Sequence, residues 1–370
     1  MATLKAVFNL IMAFFMTLPQ FLAPIPDAIN QAKYFEDWSV EQAYTADYAI
    51  ELQKDPNEDF VVLNLTDIQL EDLETYNEVG AGAKAMIAKL VEEQQPDLIT
   101  LSGDNAWASM AYIEMVNYID SFNIPWAPVM GNHDGQGCIS EFWCARLFDK
   151  AENCLWKFGP KDMGYGNYII NITENGEVVH TLFMMDTHSD AIWEDENGKE
   201  AEGYDHLWEN QIEWYKWAVN GIAAQAGKTV ESTVIMHIPV VQYTTAWNMV
   251  SGEFNYDDET VGRAPEAYNV EITSADGHTA VAKWGKRGEP CCPPPVDNGF
   301  FDVAKDLGST KTMIVGHDHV NDFAVVYDGI TLAYGVKLGE GCYFEAGMMG
   351  GTTLTIGSDG AGTLENHYLA

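Results

Sequence analysis

Basic side chains are scarce in this sequence. Its 370 residues include 19 lysines and arginines against 56 aspartates and glutamates, which gives a formal net charge of -37. Such a surface repels a phosphate backbone, so we expect no nucleic-acid partner bound through a basic face. Acidic surfaces favour solubility and attract cations, but they do not specify a fold.

Paired cysteines at metal-ribbon spacing are also missing. None of the six cysteines forms a C-x-x-C pair, which disfavours a zinc ribbon. Disulfides are expected only if the protein is exported, and free thiols are the equal alternative. The cysteines are Cys138, Cys144, Cys154, Cys291, Cys292 and Cys342.

The sequence has no confident membrane span. Its N-terminus carries one lysine before an apolar run of signal-peptide length, which Pro19 and Gln20 interrupt. We interpret residues 1–40 as a signal-like or anchoring segment, so the predicted location is secreted or membrane-attached. The alternative is a buried or amphipathic N-terminal helix in a cytoplasmic protein. Residues 41–370 are predicted to form a single domain.

From residue 60 onward, apolar runs and helical periodicities alternate. Strands are expected at 60–66, 96–104 and 124–134, with helices at 83–94 and 108–121 between them. Two further strands, at 165–172 and 178–187, are joined by the turn sequence "TENGE", and a helix at 207–224 follows. The stretch 243–299 is rich in Gly, Pro and acidic residues, and is predicted to be an irregular insertion loop near the site. The pattern predicts an α/β fold.

Polar side chains follow five of the predicted buried strands. Strand ends gather ligands at one edge of an α/β sheet, so we expect these residues to converge. They are found in "TDIQ", "GDN", "GNHD", "MHIP" and "GHDH", and the candidate ligands are Asp67, Gln69, Asp104, Asn132, His237, His317 and His319.

Carboxylates, imidazoles and amide oxygens form a donor set that suits Mn, Fe or Zn. Seven ligands exceed the needs of one ion, and two divalent or mixed-valence ions bridged by a carboxylate would use them fully. Two such ions can clamp a phosphoryl group and activate water.

The ordered series of five motifs resembles the calcineurin-like metallophosphoesterase superfamily, which includes purple acid phosphatases. Segments such as "GHDHVNDF" and "YGVKLGEGCY" resemble a purple-acid-phosphatase-like subgroup. The resemblance implies a four-layer α/β/β/α sandwich with two mixed β-sheets. It also implies hydrolysis of phosphoric esters, mainly phosphomonoesters, by a metal-bridging hydroxide. The partner implied is a small phosphorylated substrate or a phosphoprotein.

The resemblance also implies a role for each motif residue. Asp67 and His319 would bind the first metal, with Gln69 as its third ligand, and Asp104 would bridge. Asn132, His237 and His317 would bind the second metal.

His133 would face the substrate as a proton donor, with Asp134 orienting it. Asn105 and His188 are further candidate substrate contacts.

Two departures from the family pattern bear on function. The first motif has Gln69 where D-x-H is usual, and "GDNAW" lacks the tyrosine of purple acid phosphatases, so no tyrosinate–iron colour is expected. "DIQ" also resembles a manganese-dependent ADP-ribose and CDP-alcohol diphosphatase group. A nucleotide diphosphatase or phosphodiesterase is therefore an alternative, and a non-catalytic phosphate-binding descendant is another.

Overall fold

A computed structural model describes residues 17–23, 25–70, 78–194, 198–258 and 262–369. From residue 78 onward the α-helices are α1 (Glu78–Gln94), α2 (Ser109–Asp120), α3 (Glu141–Phe148), α4 (Glu209–Ala226), α5 (Gln242–Ser251) and α6 (Phe300–Leu307). Two 3-10 helices precede them, at Ile25–Tyr34 and Ala46–Tyr48. The helices predicted at 83–94, 108–121 and 207–224 are confirmed.

The strands run from residue 50 almost to the C-terminus. They are β1 (Ile50–Gln53), β2 (Phe60–Leu65), β3 (Leu98–Ser102), β4 (Trp126–Val129), β5 (Tyr168–Glu174), β6 (Glu177–Met184), β7 (Asp190–Glu194), β8 (Glu200–Tyr204), β9 (Glu231–Ile235), β10 (Glu271–Thr273), β11 (Thr279–Trp284), β12 (Thr310–Val315), β13 (Ala324–Tyr327), β14 (Ile330–Tyr334), β15 (Gly350–Ile356) and β16 (Gly362–Tyr368).

Two mixed sheets form the centre of the fold. The five-stranded sheet has the order β16-β15-β2-β3-β4, and the nine-stranded sheet has the order β1-β5-β6-β9-β12-β14-β13-β11-β10. β7 and β8 pair as a separate two-stranded ribbon. In the hairpin between β5 and β6, Asn175 and Gly176 both have positive φ, as the predicted Asn-Gly turn requires.

Alternation of side chains along the central strands separates two hydrophobic cores. Leu182 of β6 packs into the core that includes the five-stranded sheet and helices α1–α3. Its neighbour Phe183 packs into the second core, with helices α4–α6. Because successive strand residues point to opposite faces, the nine-stranded sheet lies between these two cores. The predicted four-layer α/β/β/α sandwich is therefore confirmed.

The stretch 243–299 is more regular than its composition suggests. It contains most of α5 as well as β10 and β11, and β11 pairs with β13 toward one edge of the large sheet. The prediction of an irregular loop was wrong here, because neighbouring strands supply hydrogen bonds that local composition does not reveal.

The predicted N-terminal segment is described only in part. Residues 1–16 lie outside the described residues, and among the remainder no helix is both long and apolar enough to cross a membrane. All six cysteines lie within the described ranges and are free thiols.

Candidate metal centre

Five loops that carry the predicted ligands meet at one edge of the sandwich. They follow the carboxyl ends of β2, β3 and β4, which are parallel neighbours, and of β9 and β12, which are also parallel neighbours. The seven predicted ligands all lie at this edge, and none is more than 8% exposed. The expected convergence of distant segments is therefore present.

Four of the predicted ligands have a left-handed backbone conformation. Asp67, Gln69 and Asp104 have φ of 52°, 46° and 52°, and His317 has φ of 80°. Non-glycine residues in this left-handed region are uncommon, and each costs roughly 1–3 kcal/mol. Such strain persists where the surroundings impose it, and it is typical of functional sites.

Two glycines allow the loops to approach each other closely. A Cβ added at Gly131 would overlap the carboxylate and backbone of Asp104, and one at Gly316 would overlap Thr66 and the carboxylate of Asp67. The glycines of "GNHD" and "GHDH" therefore leave room for the carboxylates of other motifs.

We call Asp67 and His319, with the shared Asp104, the Asp67 half-site. His319 Nε2 lies 3.5 Å from Asp67 Oδ1, and His319 Nδ1 lies 3.0 Å from the carbonyl oxygen of Tyr343. A carbonyl can only accept, so Nδ1 carries a proton and the lone pair of the neutral ring is on Nε2. The imidazole therefore directs its ligating nitrogen toward the carboxylate.

Asp104 lies between the two halves of the centre. Its Oδ1 accepts from the backbone N–H of His133 at 2.9 Å and lies 3.4 Å from His237 Nε2. One ligand atom from each of Asp67, Asp104 and His237 lies within 4.8 Å of the others, close enough to surround a metal ion. Asp104 thus lies between Asp67 on one side and His237 on the other.

We call Asn132, His237 and His317, with the shared Asp104, the Asn132 half-site. Asn132 Oδ1 lies 3.0 Å from His237 Nε2 and 3.0 Å from His317 Nδ1. His237 Nδ1 faces the Ser102 carbonyl at 2.9 Å, so the neutral ring presents a lone pair to Asn132. Acceptors that face one another in a buried site need a cation between them, and a metal ion fits this arrangement.

Carboxylates favour positive charge at one histidine of each half-site, whereas burial and the neighbouring His237 lower the pKa of His317 to about 3. Burial alone would lower the pKa of His237, but Asp104 outweighs it and raises that pKa to about 10. Burial likewise opposes charge on His319, yet hydrogen bonding to Asp67 raises its pKa to about 9. Burial would raise the pKa of Asp67, but the neighbouring imidazoles outweigh it and lower that pKa. The residues present therefore fit a cationic cofactor.

His133 is held beside Asp104 by groups other than the predicted one. Its ring is half-buried and stacks on Trp107 at a centroid distance of 4.5 Å, and its Nδ1 lies 2.9 Å from Gln136 Oε1. Asp134 instead accepts from the backbone N–H groups of Gly131 and Asn105, at 2.7 and 2.8 Å. The expectation that Asp134 orients the ring is corrected: Gln136 and Trp107 do so, while Asp134 shapes the loop.

The two remaining candidate substrate contacts have structural surroundings. Asn105 is fully buried, and its amide donates to Val129 and Asp134, so it braces the loop and is not placed to meet substrate. His188 stacks on Trp208 at 3.9 Å and its Nε2 lies 2.8 Å from Gln211 Oε1. His188 therefore belongs to a network beside the centre.

Gln69 and a buried lysine, Lys337, meet at the Asp67 half-site. The Gln69 amide nitrogen donates to Asp104 Oδ2 at 2.9 Å, and Lys337 Nζ lies 3.4 Å from Gln69 Oε1.

Sequence reasoning missed Lys337, although it lies in "YGVKLGEGCY". It also missed Gln136, Trp107 and Tyr204, whose ring lies 4.3 Å from that of His317. Their partners are distant in sequence or belong to loops, so no periodic pattern marks them.

An open cleft of about 400 Å³ adjoins the Asn132 half-site. Its lining includes Asn132 and Gln136, together with the acidic residues Glu141 and Asp190. On the other side, Tyr343 stacks on His319 at 4.1 Å. The cleft therefore reaches Asn132 and Gln136, whose Oε1 lies 2.9 Å from His133 Nδ1.

Curated relatives and solved structures resemble this chain. It is 24% identical over 287 residues to an Arabidopsis thaliana protein named probable inactive purple acid phosphatase 14, covering 71% of this chain but only 63% of that one. It is 25% identical over 293 residues to a Saccharomyces cerevisiae protein named phosphatase DCR2, covering 74% of this chain and 44% of that protein. The chain thus spans less than two thirds of the length of these relatives.

A dimetal phosphatase structure from Danio rerio aligns over 80% of this chain and 95% of its own, with 11% identity and a TM-score of 0.45.

The profile of calcineurin-like phosphoesterases matches residues 60–321, a range that contains all five motifs. This range includes β2 at its start and His319 near its end, so it covers both half-sites. The chain belongs to the calcineurin-like phosphoesterase family.

Proposed function

We propose that this protein is a dinuclear metal-dependent phosphoesterase, with phosphomonoesters as its leading substrates. One observation carries the proposal: buried ligands from five strand ends converge around the shared carboxylate of Asp104. The residues that would hold two cations are Asp67, Asp104, Asn132, His237, His317 and His319. When bound, the cations would neutralise phosphate charge and activate water for attack on phosphorus.

His133 is the proposed proton donor to the leaving oxygen. Its Nδ1 donates to Gln136, which keeps a proton on that nitrogen in both charge states of the ring. Nε2 is then the nitrogen that gains and loses a proton. The stack on Trp107 and the backbone bond to Asp104 fix the ring beside the bridging carboxylate, as proton transfer in the transition state requires.

Two rival functions have specific support. Gln69 in "DIQ" favours a nucleotide diphosphatase that accepts molecules such as ADP-ribose. The Arabidopsis relative is named probable inactive and the yeast relative is named a phosphatase, so their names support both a non-catalytic and a catalytic function. His133 favours catalysis, because phosphate binding alone has no need of a proton donor.

The first test compares p-nitrophenyl phosphate, its bis ester and ADP-ribose on purified full-length protein loaded with Mn²⁺, Fe²⁺, Zn²⁺ or Mg²⁺. We expect the highest kcat/KM for the monoester. A higher value for ADP-ribose would establish the diphosphatase function instead, and bound metal without turnover of any of the three would favour the non-catalytic one.

The second test concerns His133. We expect His133→Ala to lower kcat by roughly 10²–10⁴-fold, the range of general acid–base catalysis, with bound metal unchanged. His278→Ala is the matched control, because His278 lies on the hairpin at the edge of the large sheet, paired with Asp328. Equal rates for the two variants would remove His133 from the mechanism.

We further propose a small phosphorylated substrate or a phosphoprotein, processed outside the cytoplasm or at a membrane. The apolar N-terminal run of signal-peptide length supports this location, and the convergence of candidate metal ligands around Asp104 supports the substrate class. Fractionation of cells that express the full chain would test the location, since recovery in the cytosol alone would contradict it.

A further inference from the structure

Lys337 is a buried cation in the wall of the Asp67 half-site. It is 2% exposed, and its Nζ donates to the carbonyl oxygen of Asp67 at 2.6 Å. Its backbone is fixed as well, because Lys337 bridges to Thr66, and its carbonyl accepts from the N–H of Gly350 at 2.9 Å. The ammonium group is therefore held in place from several directions.

Two independent contacts set the orientation of the Gln69 amide. Lys337 can only donate, so the oxygen of Gln69 must face it, and the carboxylate of Asp104 accepts from the nitrogen of Gln69. A flipped amide would place its NH₂ against an ammonium and its oxygen against a carboxylate. Both neighbours thus require that the nitrogen, which cannot ligate a metal, faces Asp104.

The two half-sites consequently differ in what they offer a metal. The Asn132 half-site has one amide oxygen and two imidazoles besides the shared carboxylate. Among the residues that the structure describes, the Asp67 half-site offers Asp67 and His319 besides that carboxylate. The ammonium group of Lys337, next to Gln69, also repels a second cation at this half-site.

We propose that Lys337 is a positioning residue that keeps Gln69 out of the ligand set and makes metal loading unequal. The Asn132 half-site fills first, and the Asp67 half-site fills only at higher metal concentration. This inference rests on the proposed function, since it assumes a dinuclear centre, but it concerns loading and not turnover. Neighbours of metal ligands alter metal affinity by roughly 10–100-fold, and we expect a ratio of that size between the two dissociation constants.

The test is equilibrium dialysis of the chelator-stripped full chain against Mn²⁺, with bound metal counted by elemental analysis. The expected isotherm has one tight and one weak step, with dissociation constants at least about tenfold apart. Lys337→Met should tighten the weak step by about tenfold and leave the tight step unchanged. Lys286→Met is the matched control, because Lys286 is paired with Glu345 away from Gln69, and the charge change is the same.

Each outcome decides the inference. Two equal steps in the parent protein, or an unchanged ratio in Lys337→Met, would overturn it while leaving the proposed function intact. If no Mn²⁺ binds, the proposed function fails as well. If circular dichroism shows that Lys337→Met is unfolded, Lys337→Gln replaces it in the dialysis test, because its amide retains a donor for the Asp67 carbonyl. If both variants unfold, the ratio in the parent protein decides.

Discussion

The Asp67 half-site and the Asn132 half-site are built in the same way but have different surroundings. Each takes its ligands from the carboxyl ends of parallel strands and shares Asp104. The Asn132 half-site is completed by histidines and borders the open cleft, whereas a lysine–glutamine pair and the ring of Tyr343 flank the Asp67 half-site. Strand-end convergence therefore determines where the site forms, while the side chains around each half-site differ and, by our proposal, set how strongly it binds metal.

Removing the shared ligand should have the largest effect, because both half-sites depend on it. We expect Asp104→Asn to lower kcat/KM and the affinity for both cations by more than about a hundredfold, since even neighbours of metal ligands cost roughly 10–100-fold. Elemental analysis and a p-nitrophenyl phosphate assay would measure this.

Asp120→Asn is the control for that change. Asp120 ends α2 and accepts from the indole of Trp126 at the start of β4, at the opposite end of that strand from the site. Loss of only one cation in Asp104→Asn, with the other held as before, would show that the two half-sites are independent and do not share a bridge.

The next prediction separates the half-sites from each other. His317→Ala should weaken the tight Mn²⁺ step by at least about 10–100-fold, because even neighbours of metal ligands alter affinity by that much. His319→Ala should abolish the weak step and leave the tight step nearly unchanged. Dialysis isotherms of the two variants measure both steps. If His319→Ala weakens the tight step instead, the order of filling is the reverse of the one proposed.

Much of this comparison was predictable from sequence. Apolar runs that end in Asp, Asn or His marked β2, β3, β4, β9 and β12, and the family resemblance assigned each ligand. The role of Lys337 was not predictable, because a lysine in a loop has no periodicity, and its contact with Asp67 spans 270 residues. The positive φ of Asp67, Gln69 and Asp104 was equally hidden, since tertiary contacts impose conformations that these residue types rarely adopt. Asp134 was misassigned because the family resemblance implied a contact with His133 that the turn does not make; Asp134 accepts from backbone N–H groups instead.

The smallest expected effect tests whether a buried histidine that faces a carbonyl and a hydroxyl stays neutral, in contrast to His237 beside Asp104. His180 of β6 is as buried as His237, but its ring nitrogens face the carbonyl of Gly360 and the hydroxyl of Thr233. Burial accordingly lowers the pKa of His180 to about 4, whereas Asp104 raises that of His237. Because the pKa of an unfolded histidine is higher, near 6.5, the unfolded state takes up the proton first as pH falls.

The stability that neutral His180 contributes is therefore complete above pH 6.5 and is lost as pH falls toward 4. Between pH 7 and pH 5 this amounts to about 2 kcal/mol, or roughly a thirtyfold change in the unfolding constant. His180→Gln, which can still donate to Gly360, should flatten the pH dependence of the free energy of unfolding by that amount in urea titrations. His367→Gln is the matched control, because its ring meets Thr353 in β15 in a less buried position. An unchanged slope in His180→Gln would mean that His180 is charged in the folded protein. Burial would then not keep this ring neutral, and the contrast with His237 would fail.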